Sequence, residues 1–238
     1  MVMDPRKKTD LESKAQFLRR VPIFGGLNQE SLERVAAIMS EKIYARKSIV
    51  FHEGDQGNTL YIIKNGRIKI AKVAMDGREK TLTILQGGDF FGEMAIFDNL
   101  PRSATAESLD NDVHLFAINK ADFERLINEN PSIALRIMKD MTRRIRQINQ
   151  QVEDLAFKDV HGRVASTLSQ LLEIEEQNAG RTLTALRMTH QDLANMVGSS
   201  RETVTRALNR LQDQGAIAIS HQRIEVLDRE SLAEHKVF

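Results

Sequence analysis

The chain has 238 residues, 41% of them hydrophobic and 28% charged, with a net charge of +1. That length and balance fit one large globular domain or two smaller ones, and the near-neutral charge means that any basic footprint for nucleic acid has to be local. The absence of cysteine excludes thiolate nucleophiles, iron–sulfur clusters, disulfides and cysteine-built zinc sites. The six histidines, at 52, 114, 161, 190, 221 and 235, form no i, i+4 pair, which argues against a His-rich metal site. No run of about 18 apolar residues occurs, and the start MVMDPRKKTDLESK lacks an apolar signal core. The expectation is a soluble, cytoplasmic protein with no membrane partner.

Residues 10–40 read as helical, and NQESLERVAAIM sets Leu32, Val35, Ala36 and Met39 on one face behind a start signal at Asn28. Residues 42–118 read as β. TLYIIKNGRIKIAKV is two strand-like runs around Asn65-Gly66, a two-residue hairpin signal, and AMDGREKTLTIL turns at Asp76-Gly77. Gly54-Asp55 and Gly88-Asp89 add turn chemistry, as expected of a compact antiparallel roll. Within it, FGEMAIFDNLPRSATA gathers a carboxylate, a guanidinium, a hydroxyl and small residues around one short loop bordered by apolar side chains.

Pro131 then opens a long helix, along which Ile137, Met141, Ile145, Ile148, Val152 and Leu155 recur close to a 3.5-residue repeat. Packing on the helix's own domain and pairing with a second copy both explain such a stripe. The polar remainder favours the pair, because a narrow stripe suits one partner helix. Residues 158–177 read as a further helix and 178–187 as a loop or short strand.

The segment 188–219 has helix-turn-helix spacing: Ala194 where helices cross, Gly198 at the turn and Val204 on the second helix. Ser199 and Glu202 fit a capping box that opens this second helix. At about 100° per residue, Arg201, Glu202, Thr205 and Arg206 share one arc, while Val204, Ala207, Leu208 and Leu211 take the opposite side. Arginine can donate twice to guanine O6 and N7, and glutamate can accept from cytosine N4. AIAISHQRIEVLD reads as two strands around a turn, the shape of a wing.

With FGEMAIFDNLPRSATA, QQVEDLAFKDVHGRVA and SSRETVTRAL in this order, the chain resembles the CRP/FNR family of bacterial transcription regulators over nearly its whole length. The resemblance implies an α+β fold: an N-terminal antiparallel β-roll that binds a cyclic nucleotide (1–130), a dimerisation helix (131–157) and a C-terminal winged helix-turn-helix (158–238). It implies that Arg102 neutralises a cyclic phosphate, Ser103 hydrogen-bonds it, Glu93 accepts from the ribose 2′-hydroxyl, Gly92 lets the backbone come close, and Met94 lines the site. Where the nucleotide-binding prototype sets a Thr-Ser pair against adenine, this chain has Ile148 and Asn149. DNA contacts carry over as Arg201, Glu202 and Arg206 at the base edges, with Thr189 and Ser200 beside phosphates and Thr205 among the DNA-binding residues of the same arc. The function implied is a homodimeric regulator on a palindromic, TGTGA-like site in double-stranded DNA, switched by cyclic AMP and working with RNA polymerase. Haem is not expected, since no histidine lies between Gly92 and Arg102, and neither is a metal or iron–sulfur cluster. The alternatives are a switch by cyclic GMP or a cyclic dinucleotide, ligand-independent DNA binding, or a nucleotide-gated regulatory subunit of a partner enzyme. An enzyme such as a phosphodiesterase needs a base or metal ligands beside the phosphate, and the loop offers only Glu93.

Overall fold

A computed structural model describes residues 5–179 and 181–235. The chain forms two compact units. One comprises the chain up to Lys72 together with Leu82–Arg144, and the other comprises Val73–Thr81 together with the chain from Ile145 onward.

The first unit opens with α1 (Pro5–Leu18) and α2 (Gln29–Ile38). Asn28 caps α2 by accepting a hydrogen bond from the Ser31 amide at 2.8 Å, as its sequence predicts. Eight strands follow: β1 (Ser40–Tyr44), β2 (Ile49–Phe51), β3 (Thr59–Asn65), β4 (Ile68–Val73), β5 (Glu79–Leu85), β6 (Phe90–Phe91), β7 (Thr105–Ser108) and β8 (Val113–Asn119), with the one-turn helix α3 (Met94–Phe97) between β6 and β7. They make two four-stranded sheets, β1-β8-β3-β6 and β2-β7-β4-β5.

Side-chain alternation explains why β3 and β8 are apolar almost throughout. From β3, Leu60 and Ile62 enter a core shared with the helices, while Tyr61 and Ile63 enter the interior of the roll. Phe116 and Ile118 of β8 likewise face the helices, and Val113, Leu115 and Ala117 face the roll. Each strand is covered on both sides, so neither face is left polar.

The structure corrects the reading of Asn65-Gly66. The turn exists, with Gly66 at φ 87°, but β3 and β4 belong to different sheets, so it is a corner and not a hairpin. A Cβ on Gly66 would lie 2.8 Å from Val113 Cγ2, which explains the glycine by close packing as well as by φ. The hairpin at Asp76-Gly77 forms as expected between β4 and β5, closed by Ala74 N–H to Arg78 O at 2.8 Å.

After α4 (Lys120–Glu129) comes α5 (Pro131–Phe157), 27 residues long, which runs through both units. Ile133 and Ile137 are buried in the first core and Met141 packs against it. Ile137 therefore drops out of the expected stripe. Farther along, Ile145, Ile148, Val152 and Leu155 are 57%, 55%, 58% and 46% exposed, so a single chain leaves this half uncovered.

The second unit contains α6 (Val160–Ala179), β9 (Ala185–Arg187), α7 (His190–Val197), α8 (Arg201–Asp213), β10 (Ile217–Ser220), β11 (Arg223–Val226) and α9 (Arg229–Glu234). Its core joins Val164 and Leu168 of α6 to Leu193 and Val197 of α7, Val204 and Leu208 of α8, and Ile217 and Ile224 of the small sheet β10-β11-β9.

Candidate functional site

Two sites emerge, one in each unit. In the first, β6 delivers the chain to Gly92 (φ 82°), where a Cβ would lie 2.6 Å from Arg102 Nη1 and 3.0 Å from Thr59 O. Only glycine fits there without displacing the arginine. Arg102 is buried; its Nη1 donates to Gly92 O at 2.6 Å and its Nη2 to Thr59 O at 2.8 Å, and its guanidinium lies 4.2 Å from the centre of the Phe51 ring. Gly57 closes the other side, where a Cβ would come within 2.4 Å of Ala95 Cβ and 2.9 Å of Arg102 Nε. Arg102 Nε is buried without a hydrogen-bond partner among the described residues. An orphaned, cationic N–H in a glycine-lined cradle is what an incoming anion would satisfy. Ser103 is exposed next to it, with its hydroxyl donating weakly to Met94 Sδ at 3.4 Å.

Glu93 is buried beside this cradle at the start of α3. A carboxylate and a guanidinium in one loop could pair with each other, but the structure places Glu93 and Arg102 in other company. Arg102 bonds to backbone carbonyls, whereas Glu93 Oε1 lies 3.4 Å from Arg144 Nη1. Burial raises the Glu93 carboxyl above its ordinary pKa, and Arg144 pulls it back down. Arg144 is the residue that sequence reasoning missed. It donates to Phe90 O at 2.7 Å, pairs with Asp140 one turn back at 2.7 Å and lies over the Phe90 ring at 4.7 Å. It thereby ties α5 to the strand that carries Gly92 and Glu93. The i, i+4 spacing of Asp140 and Arg144 was the available signal, but it is too common on helices to stand out. Gly92, Glu93, Met94, Arg102 and Ser103 thus come together. Ile148 and Asn149 are exposed on the part of α5 that belongs to the second unit.

In the second unit, Thr189 forms a full capping box with Asp192 at the start of α7. Gly198, in the left-handed region at φ 69°, ends that helix. The capping box expected at Ser199 and Glu202 is not the one formed. The Ser199 amide donates to Ala194 O at 3.1 Å and so completes the end of α7, leaving Ser200 to cap α8 by accepting from Thr203 N at 3.1 Å. Arg201, Glu202 and Arg206 are exposed on α8, while Val204, Ala207, Leu208 and Leu211 are buried, as the helical arc predicts. The hydroxyls of Thr189 and Ser200 both serve as caps. Thr205 Oγ1 donates to Arg201 O at 2.8 Å and lies 2.9 Å from His190 Nδ1, a contact that pins α7 to the exposed face of α8. Paired antiparallel, β10 and β11 form the expected wing, and β9 adds a third strand.

Among the described residues, no group of three or more His, Asp or Glu is arranged to hold a metal ion, and no helix is long and apolar enough to cross a membrane.

Comparison with known proteins agrees with this arrangement. Residues 41–130 match the cyclic nucleotide-binding domain, and residues 162–235 match the Crp-like helix-turn-helix domain. The chain is 35% identical over 222 residues to the CRP-like cAMP-activated global transcriptional regulator of Mycobacterium tuberculosis, covering 92% of this chain and 97% of that one. It belongs to the CRP/FNR family. A second relative, the cyclic AMP receptor protein of Thermus thermophilus, is 31% identical over 213 residues, 90% of this chain and 95% of that one. Among solved structures, the c-di-GMP-responsive global regulator CLP of Xanthomonas campestris superposes with a TM-score of 0.75 at 26% identity, covering 84% of this chain and all of that one. The architecture is that of the CRP/FNR family throughout: a β-rich nucleotide-binding region, long helices and a C-terminal helix-turn-helix.

Proposed function

We propose that this protein is a cyclic-AMP-responsive transcription regulator that binds a palindromic, TGTGA-like DNA site as a homodimer. It works in the cytoplasm, is not an enzyme, and acts on transcription through RNA polymerase. The observation that carries the ligand reading is the buried Arg102, held on two backbone carbonyls in a cradle of glycines with its Nε unpartnered. A cyclic phosphate supplies the oxygens that such a guanidinium lacks. Ser103 adds a hydroxyl and Glu93 an acceptor for the ribose 2′-hydroxyl, while Gly92 and Met94 line the approach. Ile148 and Asn149 meet the base. Arg201, Glu202 and Arg206 read base edges, Thr205 lies on the same DNA-facing arc, and Thr189 and Ser200 lie beside phosphates, as the exposed start of α8 favours. Functionally the chain divides into a sensing region (1–130), a dimerisation helix (131–157) and a DNA-binding region (158–238).

A second reading keeps the DNA role and changes the switch to a cyclic dinucleotide. The likeness to a regulator described as c-di-GMP-responsive favours it. The test is calorimetric titration of the purified protein with cyclic AMP, cyclic GMP and c-di-GMP, followed by selection of DNA sites with and without each ligand. Cyclic AMP should bind and sharpen the selection of a palindrome. Binding of c-di-GMP alone would establish the second reading, and no enriched DNA motif under any condition would refute both.

A further inference from the structure

The two carbonyls that hold Arg102 take up both terminal nitrogens of its guanidinium. The N–H donors of that group lie in its plane, so these bonds leave its faces to other neighbours. The neighbours are aromatic. Cζ of Arg102 stands 4.2 Å from the centre of the Phe51 ring and 6.0 Å from that of Tyr61. Phe91 completes the wall. Its ring stacks on Tyr61 with centres 5.2 Å apart, and it lies 5.8 Å from Phe51.

The strands explain why three rings meet here. Tyr61 and Phe91 are cross-strand partners on β3 and β6, and Phe91 directly precedes Gly92, whose carbonyl accepts from Nη1. Phe51 comes from the other sheet, as the last residue of β2. The pairing of β2 with β7 shifts register between Ile49 and Phe51. Such an irregularity re-aims a side chain, and Phe51 packs against the interior of the roll. Just past β2, Gly54 N donates to Arg102 O at 2.9 Å and Arg102 N donates to Asp55 O at 2.8 Å. One stretch of chain thus fixes the arginine backbone from the loop and meets its side chain with a ring. A carboxylate in place of that ring would bond the guanidinium and compete with an incoming anion. A ring face attracts the cation through its quadrupole and takes up no N–H. Nε accordingly stays without a partner among the described residues.

We propose that Phe51, with Tyr61 behind it, is a positioning residue that holds the Arg102 guanidinium by one face, so that its charge and its Nε–H are kept for the phosphate of the nucleotide. This inference rests on the nucleotide-binding reading above and deepens it. The carbonyls set where the fork ends, and the rings set the tilt of its plane. An arginine held in advance by both has less freedom to lose when the anion arrives.

The test uses the full-length protein. Cyclic AMP affinity is read by calorimetry and stability by thermal melting. The Nε–H of Arg102 is read by its proton resonance in protein isotope-labelled at arginine, assigned by its absence from Arg102→Lys. Burial and proximity rank the two rings in opposite orders. Tyr61 is buried and Phe51 only partly so, and Tyr61→Leu should therefore lower the melting temperature more than Phe51→Leu does. Phe51 is the ring nearer to Arg102. Phe51→Leu should weaken cyclic AMP binding by about tenfold or more, and Tyr61→Leu by about threefold or less. Phe51→Tyr keeps the ring and should keep the affinity. The Nε–H resonance should be displaced by the ring in wild type and Phe51→Tyr, and should return toward that of an ordinary arginine in Phe51→Leu. If Phe51→Leu fails to fold, Phe51→Met, which fills the space without a ring, replaces it in every comparison. Affinities that follow the melting order, with Tyr61→Leu the weaker binder, would reduce the rings to core packing and overturn the inference. Phe51→Leu binding like wild type would overturn it as well, as would Phe51→Tyr failing like Phe51→Leu. Wild type that binds no cyclic AMP, yet shows a displaced resonance that Phe51→Leu abolishes, would refute the ligand reading alone. Wild type that binds cyclic AMP with a resonance indifferent to Phe51 would refute the inference alone.

Discussion

The backbone carbonyls that hold Arg102 also orient it, so on the proposed reading the same geometry that fixes the loop aims the guanidinium at the phosphate. Arg102→Leu should abolish nucleotide binding, and Arg102→Lys should restore it only partly, since an ammonium lacks the fork that spans two acceptors. Calorimetry reads both, and unchanged affinity in the Leu variant would place the ligand elsewhere. For Glu93, burial raises the carboxyl above its ordinary value of 4.5. Between that value and the raised one, the folded state holds a proton that the unfolded chain has lost. The contribution of Glu93 to stability is therefore fully present below the ordinary value and is lost as pH rises through the raised one. Glu93→Gln removes the titration, so the melting-temperature difference should widen in favour of the variant as pH climbs from 4.5 toward neutrality. A difference that is flat across that range would contradict the buried, raised carboxyl. On the proposed reading Ile148 meets the base, where it can shield a purine but cannot tell an amino group from a carbonyl, and apolar pockets discriminate weakly. Preference for cyclic AMP over cyclic GMP should be about tenfold or less, or about 1.4 kcal/mol, and Ile148→Thr should widen it. A wild-type preference above roughly a hundredfold, near 2.7 kcal/mol, would refute this account of the base.

At the scale of elements, the sequence was most legible where one face of a helix alone is buried. The arcs of α2 and α8 came through intact, because an amphipathic repeat survives whatever it packs against. Legibility failed where a signal is local but the outcome is not. Asn65-Gly66 marks a turn, and nothing within the turn decides whether the next strand pairs back or crosses to a second sheet. Ser199 and Ser200 are both competent caps, and the choice fell to the end of α7, which claims the Ser199 amide. Arg144 was invisible for a related reason, since its partners Glu93 and the Phe90 carbonyl lie 51 and 54 residues away in sequence. The repeat on α5 was read too generously at its start, because Ile137 and Met141 obey the same period yet pack into and against the core of their own unit. The remaining stripe predicts where the helix pair is held. Ile145→Ala and Val152→Ala should each weaken dimerisation by about 1.5–3 kcal/mol, read by sedentation-equilibrium-type measurement of the monomer–dimer constant. Variants as dimeric as wild type would move the interface off this face.

At the scale of the whole molecule, two recognition helices related by a two-fold axis impose their symmetry on the DNA. Half-site centres should lie about 10–10.5 bp apart or a multiple of that, and selection returning direct repeats would contradict the arrangement. Arg206→Ala should cost about 1–3 kcal/mol and relax specificity at one guanine, measurable by repeating the selection with the variant. The same molecule carries a further consequence in α5. One uninterrupted helix supplies Ile133 and Ile137 to a core and then runs bare through Ile145, Ile148, Val152 and Leu155. A lone chain therefore displays the kind of apolar strip that proteases and chaperones seize. Because pairing depends on the square of concentration, scarce chains spend more of their lives unpaired and are cleared sooner, while abundant ones shelter each other. The melting temperature should accordingly rise with protein concentration, and the amount of regulator in a cell should climb more steeply than its rate of synthesis.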